Sequence, residues 1–126
     1  MSYFYLFVAL GVLLITALAM NISRVRMKEK IGNGDGNNDV LKVAIRAHMN
    51  SVEHILPFAL IVFSLSQLQL ESIYLAVSTY GFIIIRLLHS YSMLFSSFTI
   101  RKISAGLTYV FEVVGCLCIF LYVLQA

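Results

Sequence analysis

The chain has 126 residues, enough for one domain, and a net charge of +3 at neutral pH. Hydrophobic residues make up 60% of it and charged residues 12%, more apolar surface than a soluble domain of this length can bury, so the composition predicts an integral membrane protein. The excess of basic over acidic residues does not indicate nucleic-acid binding. Five of the nine Lys and Arg residues are concentrated in the segment 24–42 beside an apolar span, which is typical of a loop next to a membrane and not of a nucleic-acid-binding face.

The first apolar run covers residues 3–20 and carries no charge before Arg24. Its length is close to the roughly 20 residues that a membrane-spanning helix needs. No basic segment precedes it and no small-residue cleavage motif follows, so we expect a retained span and not a cleaved signal peptide. The helix is predicted to continue to about residue 29.

The segment 32–39 is rich in Gly, Asn and Asp and predicts a flexible connector. Its Gly-x-Gly pattern follows a membrane helix and not a strand, so it lacks the context of a dinucleotide-binding loop. Its Asp and Asn spacing resembles the start of a calcium loop, but Val40 replaces the required glycine. Asp39 is predicted to cap the next helix.

Three further helices are predicted at about residues 40–67, 72–95 and 100–124, joined by links at 69–71 and 96–99. The predicted fold is an all-α four-transmembrane-helix bundle that forms a single domain over residues 1–126. Lys and Arg residues crowd the first and third loops and are missing from the second loop and both termini. The positive-inside rule therefore places the first and third loops in the cytoplasm and both termini on the opposite side.

Polar residues of three predicted helices gather near the cytoplasmic side. On the second helix, Arg46, Asn50 and Glu53 follow i, i+4, i+7 spacing and share a face. On the third helix Arg86 and His89 share a face, and charge inside a membrane usually lines a cavity or a bundle interior. Several cations and one carboxylate suit a small, largely anionic ligand with an amine. The alternative is an Arg46–Glu53 or Arg86–Glu53 ion pair that only fixes helix packing.

The second-helix residues form a motif in which five polar or special residues coincide in register: Arg46-Ala47-His48-x-Asn50-x-x-Glu53-x-Ile55-x-Pro57-Phe58. This motif resembles the second-helix signature of the MAPEG family, the membrane-associated proteins of eicosanoid and glutathione metabolism. Arg86-x-x-His89, with Arg101 fifteen residues after Arg86, resembles the pattern of that family's third and fourth helices. The likeness covers nearly the whole chain, and the Gly-Asp-Gly loop resembles the bacterial branch.

The resemblance implies a homotrimer in a bacterial inner membrane, with glutathione as co-substrate bound between subunits near the cytoplasmic face. It implies that Arg101 is catalytic and stabilises the glutathione thiolate, which then attacks a lipophilic molecule from the bilayer. No metal is implied. The implied glutathione-binding residues are Arg46, His48, Asn50, Glu53, Arg86 and His89.

Three positions depart from the prostaglandin- and leukotriene-forming relatives, because Met93, Lys102 and Ala105 replace a tyrosine, a serine and a tyrosine. We therefore expect a general glutathione transferase, or a peroxidase, acting on lipophilic electrophiles. One alternative is a non-catalytic lipid-binding or scaffold protein of the same fold. A second is a small proton-coupled transporter that uses Glu112, near the middle of the fourth helix.

Further expectations concern Glu112, Tyr109 and a zinc site. Glu112 is expected to pair with Arg86, to stay protonated, or to face a subunit interface. Tyr109 is expected to pack in the core, with an approach to the pocket as the alternative. His48, Glu53 and His54 lack the i, i+4 histidine spacing of helical zinc motifs, so no metal site is predicted.

Overall fold

Four long helices are present in a computed structural model that describes residues 2–68 and 72–125. Within those residues each of the four is long and apolar enough to cross a membrane. They are α1 (Ser2–Glu29), α2 (Asp39–Gln67), α3 (Ser72–Ala76, a π-helical turn at Val77–Gly81, and Phe82–Leu94) and α4 (Phe98–Gln125).

The helix ends lie within two residues of the predicted positions. The largest difference is at α4, which begins at Phe98 and not at residue 100, because the connector before it is tighter than predicted. Ser96 there has a positive φ of 57°, and the Arg101 backbone N–H bonds the Ser97 carbonyl 3.0 Å away. The predicted link at 69–71 lies outside the described residues.

The connector between α1 and α2 has a defined hydrogen-bonded conformation. Arg26 Nη1 donates to the Gly34 carbonyl 2.8 Å away, and Lys42 Nζ donates to Asn37 Oδ1 at 2.6 Å. The N-cap of α2 is Asn38, whose Oδ1 accepts from the Leu41 N–H at 2.9 Å, so the prediction that Asp39 caps this helix is wrong. Asn38 is the residue with extended backbone angles, which an N-cap needs, while Asp39 is already helical.

The π-helical turn at Val77–Gly81 was not predicted, because apolar periodicity does not reveal one added residue in a helix. A side chain at Gly81 would place its Cβ only 2.8 Å from the ring of Phe111 on α4. The missing side chain therefore lets α4 approach α3 at this turn. The added residue also changes which face the rest of α3 presents to its neighbours.

The core of the bundle is aromatic. The rings of Phe58 and Phe82 stack with centroids 3.7 Å apart, and Phe7 packs against both. Phe7 is early in α1 whereas Phe58 is late in α2, so these helices run antiparallel. Nearer the other end, Leu18, Ala47 and Met93 form a second cluster. The connectors 30–38 and 95–97 accordingly lie at the same end of the bundle, here called the connector end.

Gly115 is a close-packing position between α4 and α2. A Cβ there would lie 2.5 Å from Cγ2 of Ile61, a β-branched side chain with little freedom to move, whereas a Cβ at Gly106 meets nothing within 4 Å. We predict that Gly115→Ala lowers the free energy of unfolding by about 1–3 kcal/mol through overpacking. Gly106→Ala on the same helix is the matched control and should be neutral or stabilising. Thermal unfolding in detergent measures both, and an equal response of the two variants would contradict this packing.

Candidate functional site

Arg86 is a fully buried arginine at the junction of α2, α3 and α4. Its Nη2 donates to Asn50 Oδ1 on α2 at 2.7 Å, and its Nη1 donates to Thr108 Oγ1 on α4 at 3.4 Å. A buried charge is tolerated when hydrogen bonds replace its hydration. This guanidinium therefore connects three helices through one charged group.

Hydroxyl groups complete the surroundings of Arg86. Ser51 Oγ lies 3.5 Å from Arg86 Nη2 and 3.0 Å from Ser90 Oγ, so α2 and α3 are linked a second time. Thr108 also donates to the Ser104 carbonyl at 2.8 Å. Sequence reasoning missed these residues, although Ser90 and Thr108 follow Arg86 and Arg101 at i+4 and i+7, the spacings of one helix face.

Three charged residues of the predicted site are exposed, namely Arg46, Glu53 and Arg101. Arg46 is two turns into α2, and Arg101 is in the first turn of α4. Within residues 2–68 and 72–125 neither predicted ion pair of Glu53, with Arg46 or with Arg86, is formed, since the salt bridges there involve other residues. The two terminal nitrogens of Arg86 instead donate to neutral oxygens, and the exposed charges stay open to another molecule.

The two predicted pocket histidines differ in exposure. His48 is half-buried on α2, whereas His89 is 5% exposed, one turn after Arg86. His89 Nδ1 and Arg86 Nε are the fully buried side-chain nitrogens that lack a hydrogen-bond partner in the described part of the chain. A buried polar atom without a partner costs free energy, so both atoms mark places where a further ligand group or water is favoured.

These residues form two layers. The Arg86 layer, consisting of Asn50, Ser51, Arg86, Ser90 and Thr108, is joined by hydrogen bonds. Among the described residues, the exposed charges Arg46, Glu53 and Arg101 form no hydrogen bond or ion pair with that layer; Arg46 and Arg101 lie nearer the connectors than the layer does, whereas Glu53 is at the middle of α2. Asn50 belongs to the first layer, because its carbonyl oxygen is bonded to Arg86, which leaves its amide N–H groups as donors.

Glu112 pairs with His54, a partner that was not predicted. His54 Nδ1 lies 2.8 Å from Glu112 Oε1, so the predicted pairing of Glu112 with Arg86 is wrong. Asn50 and His54 are one turn apart on α2, and the guanidinium bonds Asn50 whereas the carboxylate bonds His54. Tyr109 packs its ring edge-on to His54 but is 56% exposed, so the expectation that it lies in the core is also wrong.

An apolar groove of about 790 Å³ lies between α3 and α4 at the end of the bundle away from the connectors. Its walls include Val77, Val110, Val114 and Tyr122. No residue of the Arg86 layer and none of the three exposed charges lines it. This groove and the charged groups are therefore separate features of the molecule.

Four apolar helices with a buried arginine layer define a multi-pass integral membrane protein of the all-α class. The model of the MAPEG family matches residues 4–121, nearly the whole chain, and the chain belongs to this family. The family predicted from the second-helix motif is thereby confirmed. The comparison with curated proteins gives no significant match.

The hydrogen bonds of Arg86 differ in length, which leads to a stability prediction. Asn50→Leu removes the 2.7 Å acceptor and should lower the free energy of unfolding by about 2–3 kcal/mol, because a buried charge loses its best partner. Thr108→Val removes a 3.4 Å contact on the opposite side of the same guanidinium and should cost less. Thermal unfolding of both variants in the same detergent tests this order. A larger loss in Thr108→Val would contradict it.

Proposed function

We propose that this MAPEG protein is a glutathione-dependent transferase, with peroxidase activity as a variant of the same chemistry, acting on lipophilic electrophiles. Family membership supports a glutathione-related function. The observation that carries the proposal is the set of exposed, unpaired charges of both signs, Arg46, Glu53 and Arg101, beside a rigid arginine layer. Glutathione has two carboxylates, one ammonium and one thiol, and so offers groups of complementary charge.

The proposed binding mode follows from charge. Glu53 accepts the ammonium, since it is the carboxylate among the predicted site residues, and Arg46 binds a carboxylate. Asn50 contributes its amide N–H groups and is held in place by Arg86, whose buried charge also adds positive potential. His48 and His89 line the pocket, and the unpaired His89 Nδ1 is available to the ligand.

In the proposed reaction Arg101 faces the thiol sulfur. Free thiols have a pKa near 8.5, and a fixed guanidinium favours the thiolate, which is the nucleophile. With a carbon electrophile, the sulfur forms a C–S bond while the leaving group departs with its electron pair. With a hydroperoxide, the thiolate attacks the terminal oxygen, the O–O bond breaks, and glutathione sulfenic acid forms. The alkoxide that leaves takes up a proton and becomes an alcohol. A second glutathione then converts the sulfenic acid into the disulfide and water.

The proposed assembly is a homotrimer in a bacterial inner membrane, with the connector end in the cytoplasm. Charge supports this orientation, because every Lys and Arg except the buried Arg86 lies in one of the two connectors or in the half of a helix that is nearer to a connector. Exposed apolar residues along α4, among them Val113, Leu117 and Phe120, supply a surface for subunits or lipid. Glutathione then enters from the cytoplasm, and the second substrate enters from the bilayer.

We predict that Arg101 and the adjacent Lys102, both exposed, are not equivalent. Titration of the detergent-purified protein with glutathione near neutral pH should give a saturable ultraviolet thiolate signal. Arg101→Ala should abolish the signal and lower the conjugation rate about 10²-fold, as expected for the loss of one fixed stabilising charge. Lys102→Ala, which removes a neighbouring cation, should keep the signal.

The same titration separates the enzyme from a non-catalytic scaffold of this fold. A scaffold protein has no use for a thiolate, so unchanged behaviour of Arg101→Ala would overturn the assignment of this residue. Failure of the unmodified protein to bind glutathione at all would overturn the glutathione proposal.

A second prediction concerns Glu53 and the ammonium group of glutathione. Glu53→Gln keeps the shape of the side chain but removes its charge, and it should weaken glutathione binding about tenfold, the loss expected for one charge-assisted hydrogen bond. An analogue of glutathione that lacks the amino group should bind the unmodified protein and Glu53→Gln equally. Isothermal titration calorimetry of both proteins with both ligands measures whether the effect of Glu53→Gln depends on the amino group of the ligand. If Glu53→Gln weakened the binding of glutathione and of the analogue equally, the pairing of Glu53 with the ammonium would be contradicted.

A further inference from the structure

His54 and Glu112 form a polar pair near the middle of the membrane-spanning helices α2 and α4. Their side chains are 17% and 25% exposed, so the pair sits in the outer surface of the bundle and not in its core. Glu112 is fourteen residues into the 28-residue α4, which places it close to mid-bilayer. Polar side chains at this depth are expensive, and those that persist in a membrane span usually serve a binding or transport function.

One polar atom of each side chain takes part in the hydrogen bond of the pair, and the other, here called the outer atom, does not. His54 Nδ1 and Glu112 Oε1 are 2.8 Å apart, whereas His54 Nε2 and Glu112 Oε2 have no partner among the described residues. A fully buried side-chain nitrogen or oxygen without a hydrogen-bond partner occurs, in the described part of the chain, only at Arg86 and His89. His54 Nε2 and Glu112 Oε2 have no partner, so neither of these two atoms is fully buried. The outer atoms are therefore presented to the surroundings of the bundle at a depth where water is scarce.

The chemistry of the outer atoms follows from electrical neutrality. At this depth the pair avoids net charge, so it is either imidazolium with carboxylate or neutral imidazole with carboxylic acid. When the titrating proton lies in the hydrogen bond between Nδ1 and Oε1, both forms leave a hydrogen on Nε2 and none on Oε2. The pair thus presents one donor and one acceptor to the bilayer, with the exposed Tyr109 ring packed against His54 at a centroid distance of 5.7 Å.

We propose that His54 and Glu112, flanked by Tyr109, form a bilayer-facing binding site for the hydroxyl group of an uncharged, lipid-soluble molecule. A hydroxyl accepts from Nε2 and donates to Oε2, so it satisfies both outer atoms. An ether or a ketone can only accept and leaves Oε2 unpaired. A carboxylate adds negative charge beside Glu112, where a second anion is unfavourable.

The site is distinct from the proposed thiolate position. Glu112 follows Arg101 by eleven residues of one continuous helix, about 16 Å along its axis at 1.5 Å per residue. A hydroxyl bound at the pair is therefore too far from Arg101 to be the group that reacts there. The inference does not depend on the proposed function, because the pair binds its ligand without glutathione.

The test uses histidine NMR, since the chain has three histidines. The full chain in lipid nanodiscs, with ¹⁵N-labelled imidazoles, is titrated with dodecanol, dodecyl methyl ether or dodecanoate. Signals of His54 are assigned by their loss in His54→Gln. We expect a saturable shift of the His54 Nε2 signal with dodecanol alone, while the signals of His48 and His89 stay in place.

Two variants complete the experiment. Glu112→Gln should weaken the dodecanol effect about tenfold, because the charged acceptor is lost, whereas Val113→Ala, at the exposed neighbouring position, should retain it. Glutathione affinity should be unchanged in both variants, which separates this site from the proposed function. The proposal is overturned if the alcohol and its methyl ether shift the signal equally, or if dodecanol shifts nothing because water or a neighbouring subunit occupies the pair.

Discussion

The burial of one guanidinium dictates how the middle of this bundle is built. Arg86 is fully buried in the third helix, and a charge in that position needs hydrogen bonds that replace its lost hydration. Asn50 and Thr108 supply acceptors from the two neighbouring helices at 2.7 Å and 3.4 Å. The hydrogen bonds of Arg86 therefore constrain how the second, third and fourth helices are rotated about their axes relative to one another. The π-helical turn at Val77–Gly81 precedes Arg86 in the same helix, and its added residue shifts the angular position of the residues that follow it.

Two groups of polar residues with different chemistry lie beside the hydrogen-bonded layer around Arg86. The exposed charges Arg46, Glu53 and Arg101 extend from the connector end to the middle of α2 and form no ion pair among the described residues, an arrangement suited to a small zwitterionic ligand that arrives from water. One turn toward the opposite side, His54 and Glu112 form a pair with no obligatory net charge, suited to uncharged polar groups that arrive from the bilayer. The proposed reaction joins a water-soluble thiol to a lipid-soluble electrophile, so its site needs access from water and from the bilayer. The bundle has polar groups that face water and polar groups that face the bilayer.

Much of the fold was predictable because strong, local signals encode it. Four apolar runs of sufficient length predict four spans, and the second-helix motif from Arg46 to Phe58 identifies the family, which the match over residues 4–121 confirms. The details that escaped prediction depend on contacts between distant residues. Glu112 pairs with His54, 58 positions away, and Thr108 was overlooked because a threonine in an apolar helix resembles ordinary packing. The roles of Arg46, Glu53 and Arg101 toward glutathione stay predictions.

The most direct test of the central claim is an experimental structure of the protein in lipid with saturating glutathione. Our account predicts three copies around an axis, with one tripeptide per site at the connector end. The ammonium should contact Glu53, and the sulfur should lie within hydrogen-bonding distance of Arg101. Empty density around these residues at saturating glutathione, or a tripeptide bound elsewhere on the bundle, would contradict the account.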